Sequence, residues 1–271
     1  MTVREALAEA TAVLQRAGVP SPEVDAEWLL AHVLGMRRSE LHSARIDGRV
    51  ADFRALLERR AGREPLAYVL GEWGFRRLTL AVDPRVLIPR PETEAVVERC
   101  LAVLEGVEAP IVLDVGVGSG AIALAVADER RDARVVATDT SPGALHVAVA
   151  NRERAGLEDR VRFVHGDLLA GETGPFDLVV SNPPYVSPED LPDLEPELRH
   201  EPAEALVGVG RHRVVAEAAL EVLRPGGSLV LEVGDGQACD VSPLLIALGY
   251  RDVRISADLA GRQRVVDGVR R

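Results

Sequence analysis

Lysine is missing from this chain of 271 residues, and all 32 of its basic side chains are arginine. Codon bias in a GC-rich genome explains that absence without any functional role. Cysteine is nearly absent too. Cys100 and Cys239 lie far apart, and neither belongs to a Cys-x-x-Cys pair, which argues against a disulfide framework or a zinc site. The six histidines show no metal-ligand spacing, so no metal is expected. No run of about 18 apolar residues occurs, so no transmembrane helix and no membrane partner are expected. The opening MTVREALAEA is charged early and lacks the apolar stretch of a signal peptide, which points to a reduced, cytoplasmic protein. An excess of positive charge is also lacking. The net charge of −11 argues against broad, salt-sensitive binding to a phosphate backbone, although a local basic patch can hide in an acidic total.

What is present is a core-forming chain, 47% hydrophobic, without internal repeats or low-complexity segments. Val3, Ala6, Leu7, Ala10, Val13 and Leu14 recur at helical spacing over residues 2–17. Residues 22–34, 38–43 and 50–62 also read as helices, with Ser21-Pro22-Glu23 as a start signal. Residues 1–72 therefore read as a small helical bundle. The period changes in GFRRLTLAV, which suggests a hairpin or linker over 73–90, and Pro91 opens a helix rich in Glu. From residue 110 onward, strand and helix alternate. Strands are expected at 111–115, 134–139, 161–167, 176–182, 227–233, 251–255 and 263–267. Helices are expected at 121–129, 142–156, 212–223 and 236–248. Near-continuous apolar strands alternating with helices define an α/β, Rossmann-like, mostly parallel sheet covered on both faces. Ligands of such sheets bind at the carboxyl ends of the strands.

At the first strand end stands DVGVGSGAIAL, where Gly116, Val117, Gly118, Ser119 and Gly120 let the backbone turn sharply beside a ligand. Gly116, Gly118 and Ala121 also fit a dinucleotide fingerprint, so the glycines alone do not decide between cofactors. Asp139 follows Gly120 by 19 positions, at the second strand end. A carboxylate there can accept both hydroxyls of a ribose, in NAD or in S-adenosylmethionine, or it can simply cap the next helix. At the third strand end, Asp167 is placed to accept an adenine amino group while Leu168 packs on the ring.

The fourth strand ends in VVSNPPYVS, residues 179–187. A residue before proline is pushed to extended geometry, which fixes Asn182 at the strand end. Pro183 and Pro184 have no N–H and a fixed φ, so they cannot continue the ladder. The Asn182 side-chain oxygen and the Pro183 carbonyl form a rigid pair of acceptors, and Tyr185 offers a flat face. That arrangement suits a planar –NH2 group. Two hydrogen bonds favour pyramidal character at the nitrogen and aim its lone pair at an electrophilic methyl group. No strong base is needed beforehand, because the proton can leave after the methyl group arrives.

Asn182-Pro183-Pro184-Tyr185 resembles the [N/D]-P-P-[Y/F] motif of amino-group methyltransferases that use S-adenosylmethionine. EPLAYVLGEWGF (64–75), VLIPRPETE (86–94), ATDTSPGAL (137–145) and LRPGGSLVLEVGDGQ (223–237) are similar, in order and spacing, to the HemK/PrmC family of release factor glutamine methyltransferases. The resemblance covers almost the whole chain. It implies a class I methyltransferase sheet of seven strands with an antiparallel last strand, spanning 91–271, behind a helical substrate-recognition domain. It implies S-adenosylmethionine as methyl donor and S-adenosylhomocysteine as product. Peptide chain release factors are the implied partners, methylated on the glutamine of their Gly-Gly-Gln motif. Carried over by position, Gly116 to Gly120, Asp139, Asp167, Leu168 and Asn182 bind the cofactor, and Asn182 to Tyr185 are catalytic. Phe75, Arg90, Pro91 and Glu92 then form the substrate rim. Two departures concern that rim: Arg76 stands where an aromatic is common, and GVGRHRVV (208–215) replaces a Gly-Glu-Asp-Gly-Leu type stretch.

Three other readings carry less. An adenine-N6 methyltransferase of nucleic acid shares the motif but sits poorly with the acidic total. An NAD dehydrogenase leaves Asn-Pro-Pro-Tyr idle, and a non-enzymatic module leaves both Asp139 and Asn182 idle. The connector 186–210 holds Glu189, Asp190, Asp193, Glu195, Glu197, Glu201 and Glu204 against Arg199. Structureless loops of that length are usually functional or disordered, and framing a partner protein is the expected role.

Overall fold

The structure, a computed structural model, describes residues 2–46, 48–191 and 194–271, apart from the side chains of residues 42 and 43. Two compact units divide the chain: residues 1–72 with 194–200, and residues 73–193 with 201–271.

The first unit is helical. Helix α1 (Val3–Arg16) starts from a capping box, in which Thr2 accepts from the Glu5 N–H while the Glu5 carboxylate accepts from the Thr2 N–H. Helix α2 (Pro22–Leu34) has proline in its first turn and ends on Gly35 at φ 64°. A 3-10 turn (Arg38–Ser43) and helices α3 (Val50–Ala61) and α4 (Leu66–Leu70) follow. Leu14, Leu29, Leu30, Ile46 and Phe53 meet in its core, each contributing roughly 1.5–3 kcal/mol by burial. Arg60 is buried with them. Its Nε donates to Asp25 Oδ2 at 2.7 Å, and its Nη1 donates to Glu197 Oε1 at 2.9 Å. Arg63 donates to the same Glu197 carboxylate. Glu197 therefore serves the helical unit from within the connector. Burial alone would raise its pKa, but the Arg63 and Arg60 guanidiniums outweigh burial and hold it at about 2.

The second unit begins with a two-stranded hairpin, β1 (Glu72–Phe75) and β2 (Leu78–Ala81), and helix α5 (Thr93–Val103). Pro91 lies in the turn before α5 rather than in the helix. Alternating elements follow: β3 (Ile111–Val115), α6 (Ala121–Glu129), β4 (Arg134–Asp139), α7 (Pro142–Ala155), β5 (Val161–His165) and β6 (Phe176–Ser181). Then come α8 (Ala203–Leu206), inside the connector, and after it α9 (Arg211–Val222), β7 (Leu223–Glu232), α10 (Ala238–Ala247), β8 (Arg251–Ala257) and β9 (Gln263–Val269). The connector carries its own structure, a 3-10 turn at Pro196–His200 and α8. Asp193 lies outside the described residues.

The seven strands form one sheet in the order β5-β4-β3-β6-β7-β9-β8, parallel from β5 to β7, with β9 antiparallel to both its neighbours. Strand order reverses between β3 and β6, so the loops after them diverge and leave a crevice. Val115 is in register with Thr138 and with Ser181, which brings three strand ends to one level. Helices cover both faces, and each face has its own apolar core, one around Leu124 and Val180, the other around Leu113 and Val179.

Candidate active site

A cleft of about 490 Å³ opens at that level, lined by the turns after β3, β4, β5 and β6, by residues of the 85–93 segment and by α8. After β3, Gly116 and Gly118 adopt φ 82° and 54°, a region that costs glycine nothing. A Cβ built on either would meet no protein atom within 4 Å, so the space beside them is open to a ligand. Gly120 is different. A Cβ there would stand 2.9 Å from Leu124 Cδ1, so this glycine serves the packing of α6 and does not line the cleft.

Asp139 ends β4 and points back at the glycine turn. Its Oδ2 accepts from the Gly118 N–H at 2.9 Å and its Oδ1 from the Ser141 N–H at 2.8 Å. Each oxygen keeps a further lone pair. Ser141 itself caps α7 through the Ala144 N–H, so Asp139 is not spent on capping. The loop after β5 is fixed by Thr138 Oγ1 donating to the Leu168 carbonyl at 2.6 Å. Asp167 is exposed, and its Oδ1 accepts from Arg211 at 3.0 Å and from the Leu168 N–H. Arg211 belongs to the departing 208–215 stretch, and it lines the cleft beside Asp167.

Ser181 ends β6, where its hydroxyl donates to the Val115 carbonyl at 2.7 Å and ties β6 to β3 just below Asn182. Asn182, Pro183 and Pro184 line the cleft. Among the described residues, the Asn182 side chain and the Pro183 carbonyl have no hydrogen-bond partner, so both remain available as acceptors. Beyond them, the Val186 N–H donates to the Leu206 carbonyl and the Gly208 N–H to the Val186 carbonyl. A Cβ on Gly208 would stand 2.6 Å from the Pro184 oxygen, so the backbone of 208 abuts the tetrapeptide directly. Tyr185 is half-buried and lies outside the cleft lining. Burial, then the neighbouring Glu232, pushes its phenol up to about 12, so the ring is neutral at physiological pH.

The expected rim divides. Arg90 lines the cleft and is paired with the buried Glu201, whose other oxygen accepts from the Ile88 N–H at 3.0 Å. Glu201 thus fixes the 86–90 segment from the connector. Phe75 is 1% exposed and packs with Leu80, Val96 and Cys100, so it belongs to the core and not to the rim. Pro91 and Glu92 do not line the cleft. Arg76 also turns inward, donating to Glu129 with two nitrogens at 2.8 Å and to Glu98 at 2.9 Å, which raises its pKa.

Two further groups were not foreseen. Asp114 is buried in β3, where its Oδ2 accepts from the Ala123 N–H while Oδ1 has no partner. Burial pushes its carboxyl up to about 8. Glu232, at the end of β7, also keeps one oxygen without a partner, and burial raises it to about 7 despite the Thr93 hydrogen bond. A charged residue inside an otherwise apolar strand, IVLDV or LVLEV, was the visible signal for both. Among the described residues, no group of His, Cys, Asp and Glu could hold a metal ion, and no helix is long and apolar enough to cross a membrane.

The sheet order, the open glycine turn and the carboxylate at the next strand end define a class I, S-adenosylmethionine-dependent methyltransferase. The profile of the PrmC N-terminal domain matches residues 5–71, and that of the methyltransferase small domain matches residues 98–233. A release factor glutamine methyltransferase of Deinococcus radiodurans is 46% identical over 98% of this chain and 98% of its own length. One from Moorella thermoacetica is 42% identical over 100% of this chain and 99% of its own. The chain belongs to the release factor glutamine methyltransferase family. In fold it is similar to the solved 16S rRNA N2 G1207 methyltransferase of T. thermophilus, with TM-score 0.55 and 22% identity over 74% of this chain and 50% of that one.

Proposed function

We propose that this protein transfers a methyl group from S-adenosylmethionine to the side-chain amide nitrogen of the glutamine in the Gly-Gly-Gln motif of peptide chain release factors, in the cytoplasm. The observation that carries this reading is the pair of unpartnered acceptors at Asn182 and Pro183, on a proline-stiffened corner that lines a cleft of about 490 Å³. The full-length relatives, named for this reaction, support the choice of acceptor.

When bound, S-adenosylmethionine supplies an electrophilic methyl group on a sulfonium. The open turn at Gly116–Ser119, with Gly120 shaping it, receives the cofactor. Asp139 accepts the ribose hydroxyls with its remaining lone pairs, and Asp167 and Leu168 border the adenine. The Asn182 oxygen and the Pro183 carbonyl each accept one N–H of the incoming carboxamide, which turns the nitrogen lone pair out of conjugation and toward the methyl group. Pro184 locks the corner, and the neutral Tyr185, outside the cleft lining, supports it from behind. Once the nitrogen carries the methyl group its proton is acidic and passes to water. We assign recognition of the release factor to the helical residues 1–72, connection to the hairpin and linker 73–90, and methyl transfer to 91–271, with no direct contact to nucleic acid.

The test uses S-adenosylmethionine labelled in its methyl group, offered separately with a release factor and with adenine-containing duplex DNA. Label on the release factor, lost when its Gly-Gly-Gln glutamine is replaced, is the expected result. Label on DNA alone would move the protein into the adenine-N6 class.

A further inference from the structure

Proline occupies two of the four positions from Asn182 to Tyr185, so this corner cannot be steadied by a strand ladder. Its entry is fixed by the Ser181–Val115 hydrogen bond. At its exit, the Tyr185 carbonyl is held by one side chain, Gln237. Gln237 is the N-cap of α10 but makes no capping bond with its side chain. Instead the carboxamide turns back toward the tetrapeptide. Its Oε1 accepts from the Gly234 N–H at 3.0 Å, and its Nε2 donates to the Tyr185 carbonyl at 3.0 Å. Both ends of one amide are thereby used to tie the loop after β7 to the last residue of Asn-Pro-Pro-Tyr.

The fit at 234 is close, and a larger residue there would have to displace the Gln237 amide. A Cβ there would stand 2.9 Å from Gln237 Oε1 and 3.0 Å from Tyr185 Cδ2. Gly234, Gln237 and the Tyr185 ring interlock. The other edge of the same Tyr185–Val186 peptide unit is held too, since the Val186 N–H donates to the Leu206 carbonyl, and the Val186 carbonyl accepts from the Gly208 N–H, so Gln237 completes the anchoring of the exit. With proline fixing φ at 183 and 184, the only soft dihedrals between the Pro183 carbonyl and this held plane are Pro184 ψ and the φ and ψ of Tyr185, so anchoring the exit narrows the orientations open to the corner.

We infer that Gln237 is a positioning residue of the methyl-acceptor site, holding the Asn-Pro-Pro-Tyr corner at the angle its two acceptors require. This inference rests on the proposed amide-methylation reading. It also extends the set of residues that the reaction depends on beyond the tetrapeptide itself, to the turn between β7 and α10.

The distinguishing variant is Gln237→Glu. It keeps the length and the acceptor for the Gly234 N–H, and it replaces the donor by an oxygen facing the Tyr185 carbonyl. Gln237→Ala removes both bonds, and Asp240→Asn, in the first turn of the same helix, serves as the control for general loosening of α10. Each full-length variant is measured for kcat and KM on the release factor, for S-adenosylmethionine affinity by calorimetry, and for its tyrosine carbonyl signals after 13C labelling. The chain has three tyrosines, so the Tyr185 signal is assigned with Tyr185→Phe. Gln237→Glu and Gln237→Ala are expected to shift that one signal and to lower kcat by about tenfold, within the range that small misplacements cost. Cofactor affinity and KM stay within about twofold of wild type. An unshifted Tyr185 carbonyl, a kcat within twofold of wild type, or an equal loss in the Asp240→Asn control would each overturn the inference. A wild type that ignores the release factor would refute the acceptor proposed above, whereas the carbonyl signal would still report the clamp.

Discussion

Carboxylates drawn out of solvent are treated in opposite ways in the helical unit and in the strands of the sheet. Asp25 and Glu197 sit against the guanidinium of Arg60, and Glu197 also against that of Arg63. Asp114 and Glu232 have no guanidinium within bonding distance among the described residues and keep one oxygen each without a partner. The pKa values diverge accordingly, to about 2 for Glu197 and to about 8 and 7 for Asp114 and Glu232. Pairing locks architecture. Desolvation without pairing is the pattern that accompanies chemistry. Asp267 and Glu201 show that the sheet unit also pairs its carboxylates, with Arg99 and Arg90, so the unpaired two are not a habit of that unit.

The contrast breaks most visibly at Arg60. Arg60→Leu leaves the buried Asp25 without its guanidinium and the half-buried Glu197 with Arg63 alone, a loss of about 3 kcal/mol, at the low end for a broken buried pair. The two tryptophans read the result separately, since Trp28 belongs to the helical unit and Trp73 to the other. The Trp28 transition is expected to fall and the Trp73 transition to hold, with S-adenosylmethionine affinity unchanged. A parallel loss of cofactor affinity would show that the ion pairs are not confined to architecture.

Asn182→Ala is the reverse experiment. Turnover should fall at least about 100-fold, as on loss of one transition-state hydrogen bond elsewhere, while both melting transitions and cofactor affinity stay put. A near-normal rate would remove Asn182 from the mechanism.

Most of this site was legible because backbone chemistry wrote it into the sequence. Glycines at a strand end, an acid at the next strand end and a polar residue before two prolines each restrict φ or supply a strand-end polar group, and these are local facts. The alternation of strands and helices, with periods of 2 and 3.6, marked the sheet for the same reason. What escaped reading was tertiary. Phe75 was placed on the rim by the family resemblance alone, yet the hairpin buries it against α5. The short helices α4 and α8 carry too few residues to show a period. Glu197 and Glu201 were expected, with the rest of the connector, to frame a partner protein, and only their long-range arginine partners, residues 60, 63 and 90, reveal their work within the chain.

Glu201 sharpens that last point with a smaller effect. Its carboxylate holds both Arg90 and the Ile88 N–H, so Glu201→Ala frees the segment that lines one wall of the cleft. Charged hydrogen bonds of this type are worth about 1.5–3 kcal/mol. Part of that should appear as a weaker cofactor Kd in calorimetry, which Arg60→Leu does not produce. Charge neutralisation at the exposed Glu189 and Asp190 should leave Kd unchanged, and an equal effect there would mean that net charge, not the Glu201 contact, sets affinity.

The smallest effect separates the two carboxylate classes by pH. Glu197 has a folded pKa of about 2, below its ordinary 4.5, so its stabilisation is present above about 4.5 and is lost as pH falls toward 2. Asp114 has a folded pKa of about 8, above its ordinary 3.8. Between those values the folded chain keeps a proton that the unfolded chain has released, so rising pH favours unfolding until about 8. Glu232 adds to the same slope between 4.5 and about 7. The Trp28 transition should therefore drop on the acid side and the Trp73 transition on the alkaline side. Asp114→Asn removes the ionising group while keeping an acceptor for the Ala123 N–H. It is expected to raise the Trp73 midpoint by a few degrees at pH 8, at roughly 2–4 °C per kcal/mol, with the gain shrinking steadily toward pH 4. A gain independent of pH would mean that packing around residue 114, and not its proton, distinguishes this part of β3 from the helical unit.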